Sequence, residues 1–107
     1  MKSIIFLGKS KDVVCAFPET VKREAGYQLD KVQNGLAPDD WKPMKTIGPG
    51  VREIRINHEG QYRVIYVAKY EQAIYVLHAF QKKTQKTAQP DIDAAKRALK
   101  LIQENKQ

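Results

Sequence analysis

Basic side chains recur through one segment of the sequence, residues 51–83. They are Arg52, Arg55, Arg63, Lys69, Lys82 and Lys83. Guanidinium and ammonium groups bind phosphate and stabilise the negative charge that develops on a phosphate during cleavage. The whole chain carries 19 Lys and Arg against 12 Asp and Glu, a formal net charge of +7. Such a charge attracts polyanions, of which nucleic acid is the commonest. We therefore predict contact with nucleic acid or the ribosome; the alternative is a basic surface with no specific partner.

The same segment has the pattern of an antiparallel sheet. Three apolar runs rich in Val, Ile and Tyr are separated by two short polar breaks, at residues 57–61 and 69–72. Those residue types favour a pleated, half-buried surface. Breaks of this length join antiparallel strands, because a parallel return needs a dozen residues or more. The sequence therefore predicts a three-stranded meander that carries the basic residues.

Alternation along the first strand of the meander separates apolar from charged side chains. Ile54 and Ile56 share one face, which we expect to meet the helices, and Glu53 and Arg55 share the other. In the central strand both faces are apolar, so alternation alone does not fix the face of Arg63. The alternative for these charges is that they are solvated on an exposed sheet face.

In the third strand, Phe80 is the better core residue. This choice places Gln81 and Lys83 on the far face, with Arg55. His78 shares the face of Phe80 unless a bulge intervenes.

Helices flank the meander. A short strand at Ser3–Leu7 precedes a helix at about 11–16 capped by Ser10, and Pro18 opens a second helix. The apolar stripe of the second helix is Val21, Ala25, Leu29, Val32 and Leu36. Residues 37–50 hold many Pro and Gly and are predicted to be a loop, with Trp41 either closing the core edge or stacking on a base.

Pro90 opens a last helix, and residues 104–107 are expected to fray. The fold class is α+β: a helical hairpin packed on an antiparallel sheet, with a C-terminal helix.

Composition limits the class of protein. A chain of 107 residues with 42% hydrophobic residues is expected to form one domain, spanning 1–107. No apolar run approaches the roughly 20 residues of a membrane span, so no membrane association is expected. The single Cys15 excludes an internal disulfide and fits a reducing cytoplasm. With one Cys and two His, neither a metal site nor a cofactor is expected.

Four stretches of the chain resemble a toxin family. They are Phe17-Pro18-Glu19 with Gly26-Tyr27-Gln28-Leu29, then residues 50–55 (GVREIR), residues 62–66 (YRVIY) and residues 76–84 (VLHAFQKKT). Together they resemble toxins of the RelE/ParE superfamily, in its phage-derived, HigB-like branch, over residues 3–102. The resemblance implies a compact RelE-like fold with a curved sheet and ribosome-dependent endoribonuclease activity on mRNA. It also implies a cognate helix-turn-helix antitoxin, with operator DNA bound through the antitoxin complex.

The resemblance also implies which residues form the site. The basic positions of RelE-like toxins fall on Arg55, Arg63 and Lys83, and this places Arg63 on the face of the other two. The chain departs from RelE at Glu53, where RelE has a second basic residue, and it has no clear counterpart of a C-terminal tyrosine. A further set of basic residues is expected to contact the RNA backbone: Arg52, Lys82 and Lys86.

Metal-independent RNA cleavage needs groups that move protons. Glu53 is a candidate base, and equally a salt-bridge partner that holds Arg55. His78 is a candidate acid or base, or a histidine half buried beside Phe80, and His58 is expected to be a solvated turn residue. Two other functions stay open: a ParE-like poison of DNA gyrase, and a non-catalytic RNA-binding module.

Overall fold

The structure is a computed structural model that describes residues 1–105. The strands are β1 (Ser3–Phe6), β2 (Trp41–Pro43), β3 (Val51–Asn57), β4 (Gln61–Val67) and β5 (Ala73–Lys82). The helices are α1 (Ser10–Ala16), α2 (Glu19–Gln33) and α3 (Gln89–Asn105). Of residues 104–107, which were expected to fray, the first two belong to helix α3. Residues 106–107 lie outside the described part of the chain. No helix within residues 1–105 is both long enough and apolar enough to cross a membrane.

The five strands form one curved sheet in the order β1-β5-β4-β3-β2. The predicted meander is confirmed: β3 pairs antiparallel with β4, and β4 with β5. Strand β1 joins the other edge of β5 in parallel, from Ser3 opposite Ala73 to Phe6 opposite Val76.

The segment predicted to be a loop contains strand β2, so that prediction is wrong for three residues. Strand β2 pairs antiparallel with β3, and Trp41 lies opposite Ile54. Its Pro43 is compatible with a strand because β2 is at the sheet edge, where a missing N–H costs no ladder bond.

Helices α1 and α2 cover one face of the sheet, as predicted. The core between them contains Val21, Ala25, Leu29, Ile54, Ile56, Val64 and Tyr66. Two details differ from expectation. Leu36 is 58% exposed because α2 ends at Gln33, before the apolar stripe is complete. Ser10 lies inside α1, and its hydroxyl donates to the Leu7 carbonyl oxygen at 2.7 Å and does not cap the helix.

Helix α3 covers the opposite face, which the sequence pattern had left open as an exposed, solvated face. A second core forms there from residues of α3, β3, β4, β5 and the segment after β2. Its members include Met44, Ile47, Val51, Ile65, Leu77, Phe80, Ala95 and Leu99. Because this face is covered as well, Glu53 of β3 and Arg63 of β4 are buried.

Strand β5 contains a β-bulge at Leu77. His78 lies opposite Ile65, whereas Val76 lies opposite Tyr66, so one residue of β5 is extra. The bulge leaves His78 and Phe80 on one face, and their rings stack with centroids 5.5 Å apart. Phe80 belongs to the core under α3, not to the core under α1 and α2.

Candidate functional site

Four cations from four neighbouring strands lie on the sheet face that α3 partly covers. We call Lys42, Arg55, Arg63 and Lys82 the basic cluster. Lys42 of β2 lies opposite Glu53 of β3, and Arg55 of β3 lies opposite Arg63 of β4. Lys82 of β5 lies opposite Gln61, two residues from Arg63 on the same face of β4. The cluster therefore forms because the sheet brings distant parts of the chain into register.

Glu53 is the buried counter-charge of the basic cluster. Its side chain is 0% exposed, and its Oε1 lies 3.5 Å from Arg63 Nε and 4.0 Å from Lys42 Nζ. The Thr87 hydroxyl donates to Glu53 Oε2 at 3.2 Å. A buried carboxylate needs such partners, because an unpaired charge away from water is strongly destabilising. Glu53 therefore pairs with Arg63 and Lys42, not with Arg55 as one of our alternatives had it, and it does not line the cavity that opens beside the two arginines.

Arg63 is held from several sides. The residue is 5% exposed, and its Nη1 donates to the Tyr62 carbonyl oxygen at 3.0 Å. Its Nη2 donates to Gln61 Oε1 at 3.2 Å. Burial lowers the pKa of the Arg63 guanidinium, and the neighbouring Glu53 carboxylate opposes that effect. Arg63 thus supplies a fixed positive charge beneath the site, with most of its donors already in use.

Arg55 is the more accessible arginine of the basic cluster. Its side chain is 38% exposed, and its Nε and Nη2 lie 2.9 and 2.7 Å from Asp40 Oδ1. The backbone N–H of Arg55 also donates to the Asp40 carbonyl oxygen at 2.8 Å. Asp40 therefore orients Arg55, a contact that the sequence pattern did not indicate because the two residues are 15 positions apart.

Lys82, not Lys83, faces Arg63, so the predicted placement of the two lysines on the sheet is wrong. Phe80 packs under α3, and alternation then puts Lys82 on that face and Gln81 opposite Tyr62 on the other. Partial burial lowers the pKa of the Lys82 ammonium, as do the charges of Arg63, Lys42 and Arg55, while Glu53 opposes them.

Lys83 and Lys86 lie outside the sheet. Strand β5 ends at Lys82, and both residues are exposed in the segment between β5 and α3. The structure does not bring these two predicted residues into the basic cluster.

A cavity of about 550 Å³ opens beside the two arginines of the basic cluster. Its lining includes Arg55, Arg63, Asn57, Gln61 and His58. His58 Nε2 lies 3.4 Å from Glu59 Oε2, and its side chain is 44% exposed. The turn between β3 and β4 thus places the His58 imidazole in the lining of a basic cavity. The sequence reasoning regarded His58 as solvated only, although its position next to Asn57 was a signal that it would lie near the strand ends.

His78 lies apart from the basic cluster. It is in the same row as Glu53, but Ile65 of β4 lies between them, which puts the two about 10 Å apart. His78 Nε2 is 2.7 Å from Asp91 Oδ1 in the first turn of α3, and the ring stacks on Phe80. The geometry fits a structural contact that fastens α3 to the sheet.

Arg52 is on the other side of the sheet. It lies opposite Tyr66, which belongs to the core under α1 and α2. Its guanidinium lies over the Trp41 ring, 4.1 Å from the centroid. Arg52 therefore does not extend the basic cluster, and Trp41 is half buried at the edge of the sheet.

The model of one protein family matches most of the chain. The family is described as phage derived protein Gp49-like (DUF891), and the match covers residues 12–100. The chain belongs to the Gp49-like family. No curated protein matches the chain. The match confirms that the chain belongs to a phage-derived family, as the resemblance implied. Membership of the RelE/ParE superfamily and of its HigB-like branch stays a prediction.

Proposed function

We propose that this Gp49-like chain is the toxin of a type II toxin–antitoxin system and that it cleaves mRNA on the ribosome. The observation that carries the proposal is the basic cluster beside an open cavity, with Glu53 buried beneath it. The cluster has a formal charge of +4, and Glu53 with Asp40 supplies −2. A net positive, preorganised site on rigid strands suits a phosphate that gains charge in the transition state.

The proposed reaction needs only the RNA and side chains. The ribose 2′-oxygen attacks the adjacent phosphorus and forms a new P–O bond while its proton passes to a base. The bond from phosphorus to the 5′-oxygen then breaks, and that oxygen takes up a proton. The products are a 2′,3′-cyclic phosphate and a free 5′-hydroxyl, so the bond-breaking step consumes no water.

The roles within the basic cluster follow from exposure. Arg55 lines the cavity and Lys82 is partly exposed next to Arg63, so we assign contact with the phosphate oxygens to both, whereas Arg63 acts through its fixed charge. His58 is the titratable ring at the cavity, and an imidazole exchanges protons near neutral pH. We therefore assign proton transfer to His58 and not to Glu53 or His78.

The partners in this proposal are mRNA on the ribosome and a cognate helix-turn-helix antitoxin, which would also carry the toxin to operator DNA. The chain would act in the cytoplasm. The net charge of +7 on the chain supports these partners, because an acidic antitoxin segment and the ribosomal RNA would both be attracted to a basic protein. Family membership supports the toxin class but does not identify the target.

Induced expression without the antitoxin tests the function. The parent chain should arrest growth, and primer extension on abundant messages should show new breaks linked to codon position. Arg55→Gln and Lys82→Met should each lose most of the breaks, since removing one group that stabilises transition-state charge costs about 10² to 10³ in rate. Lys22→Met, at an exposed position of α2 outside the cluster, is the matched control and should behave like the parent.

The same experiment separates the competing functions. DNA damage with no mRNA breaks would favour the gyrase poison. A parent chain that leaves growth unchanged would favour a non-catalytic RNA-binding module. His58→Gln tests the proton-transfer role: it should cleave about 10² to 10⁴ times more slowly than the parent, because its amide cannot exchange a proton.

A further inference from the structure

A second polar cavity lies on the face of the sheet away from the basic cluster. Helix α2 ends at Gln33 and leaves the end of that face uncovered. A cavity of about 370 Å³ opens there, with Arg52 and Tyr66 on its sheet side. Val32 and Leu36 line it from the end of α2. The proposed nuclease chemistry does not use this cavity.

The Tyr66 hydroxyl is an unusual group in the cavity lining. Tyr66 is 0% exposed, and its hydroxyl finds no acceptor among the described residues. Buried hydroxyls are nearly always hydrogen-bonded, because losing water without a replacement partner is unfavourable. Burial raises the pKa of the Tyr66 phenol, and the adjacent Arg52 guanidinium opposes part of that rise, through hydrogen bonding to the phenol oxygen and through its charge. The hydroxyl therefore lies next to the Arg52 cation, and no group of the described residues accepts its proton.

Arg52 has no carboxylate partner within the part of the chain that the structure describes. Among residues 1–105 no acidic side chain lies within ion-pair distance of it, and no acidic residue lines the cavity. Its guanidinium lies over the Trp41 ring, 4.1 Å from the centroid, and close to the Tyr66 hydroxyl.

The net charge around the cavity is positive. The C-terminal end of α2 contributes about half a negative charge. Lys2, which also lines the cavity and donates to the Ala68 carbonyl oxygen at 2.7 Å, offsets that contribution.

We propose that this cavity binds a small carboxylate whose body is apolar. Arg52 and the Tyr66 hydroxyl would donate to the carboxylate oxygens. The side chains of Val32 and Leu36 would cover the apolar body, which would also shield Leu36, now 58% exposed. An aliphatic acid and the C-terminal carboxylate of a peptide that ends in an apolar residue share this chemistry. The site goes beyond the proposed function and does not depend on it.

Trp41 provides the readout, because it is the only tryptophan of the chain and Arg52 lies over its ring. The purified full chain is titrated with hexanoate while tryptophan fluorescence is recorded, and calorimetry measures the affinity independently. We expect a saturable fluorescence change. A dipeptide that ends in leucine, with its carboxylate free or amidated, distinguishes a peptide terminus from a simple acid as the source.

Variants and control ligands make the test specific. Arg52→Gln should weaken hexanoate binding about tenfold or more, and Tyr66→Phe, which removes only the hydroxyl, should weaken it several-fold. Arg97→Gln, the same change at an exposed position of α3, should bind like the parent. Hexylamine and inorganic phosphate should each bind at least tenfold more weakly than hexanoate. Thermal melting confirms that each variant is folded at the temperature of the titration.

The outcomes are decisive. Saturable binding that both Arg52→Gln and Tyr66→Phe weaken supports the proposal, for an acid, a peptide terminus or both. No saturable signal in the parent, or equal affinity in folded Arg52→Gln, would overturn it. Phosphate or hexylamine binding as tightly as hexanoate would also overturn it, because then neither charge nor the apolar walls select the ligand.

Discussion

Glu53→Gln tests whether the buried carboxylate holds the basic cluster together. The change keeps the shape of the side chain and removes its charge. Arg63 Nε lies 3.5 Å from Glu53 Oε1, with side-chain exposures of 6% and 0%. At an effective dielectric constant of about 20, two charges at that distance attract by about 5 kcal/mol. The Lys42 pair adds little, because Lys42 is 42% exposed and the distance is 4.0 Å.

We expect the variant to be less stable than the parent by about 3 to 5 kcal/mol, because Arg63 is left buried without its counter-charge. That is a large part of the 5–15 kcal/mol typical of a whole domain, and it corresponds to a fall in Tm of roughly 12 °C or more. Urea unfolding followed by circular dichroism measures the free energy of unfolding. The double variant Glu53→Gln with Arg63→Gln should be more stable than the sum of the two single changes predicts.

Glu19→Gln is the matched control. Glu19 Oε2 lies 3.3 Å from Arg23 Nε, so the pair is as short as the buried one, but its side chains are 64% and 78% exposed. We expect a change within about 0.5 kcal/mol. If the free energy of unfolding of Glu53→Gln is also within about 1 kcal/mol of the parent value, the counter-charge role assigned to Glu53 is wrong.

Two further predictions concern the fold. Gly48→Ala should destabilise the chain by about 1–3 kcal/mol, because the new Cβ would lie 2.5 Å from Leu99 Cδ2 in the core under α3. Gly26→Ala should instead stabilise the chain by about 0.5–1 kcal/mol, because Gly26 lies inside α2 and its new Cβ would meet no atom within 4 Å. Equal effects in urea unfolding would refute the packing argument. Burial raises the pKa of Tyr66, so the folded state stays protonated at pH values where the unfolded state has already lost the proton. The free energy of unfolding of the parent should therefore fall as pH rises above about 10. Tyr66→Phe should remove that part of the decline in unfolding experiments from pH 9 to 11, and an unchanged slope would contradict the burial argument.

The meander and the hairpin of helices followed from local patterns. The runs in β3, β4 and β5 have the residue types of strands, and the short breaks between them leave an antiparallel return as the only option. Ile54 and Ile56 were assigned to the helical face by alternation alone, and both are buried there. Where one face is apolar and the other charged, the pattern was sufficient.

The face of β5 could not be predicted, because both faces of the sheet are covered. Phe80 was a sound choice as a core residue, but two cores exist, and alternation does not indicate which one it joins. Choosing the core under α1 and α2 put Lys83 in the site in place of Lys82. Recognising that the stripe of α3 must also cover the sheet would have corrected the choice.

Contacts made by loops were the other gap. Asp40 forms an ion pair with Arg55, and Thr87 donates a hydrogen bond to Glu53. Both partners come from segments without sequence periodicity, so no pattern indicates that they contact the strands. The pairing of Glu53 also involves Thr87, which does not lie near it in sequence. The residue types at the site were predictable, whereas their exposure and pairing required the three-dimensional arrangement.

A single-turnover cleavage assay on ribosome-bound message tests the central claim most directly. The rate for Lys82→Met is compared with the rate for Lys83→Met, with the products analysed for 2′,3′-cyclic phosphate ends. The basic cluster predicts that the Lys82 variant cleaves about 10² to 10³ times more slowly than the parent, while the Lys83 variant stays within a few-fold of it. Equal rates for the two variants, or loss of cleavage in the Lys83 variant alone, would contradict the assignment of this face of the sheet as the active site.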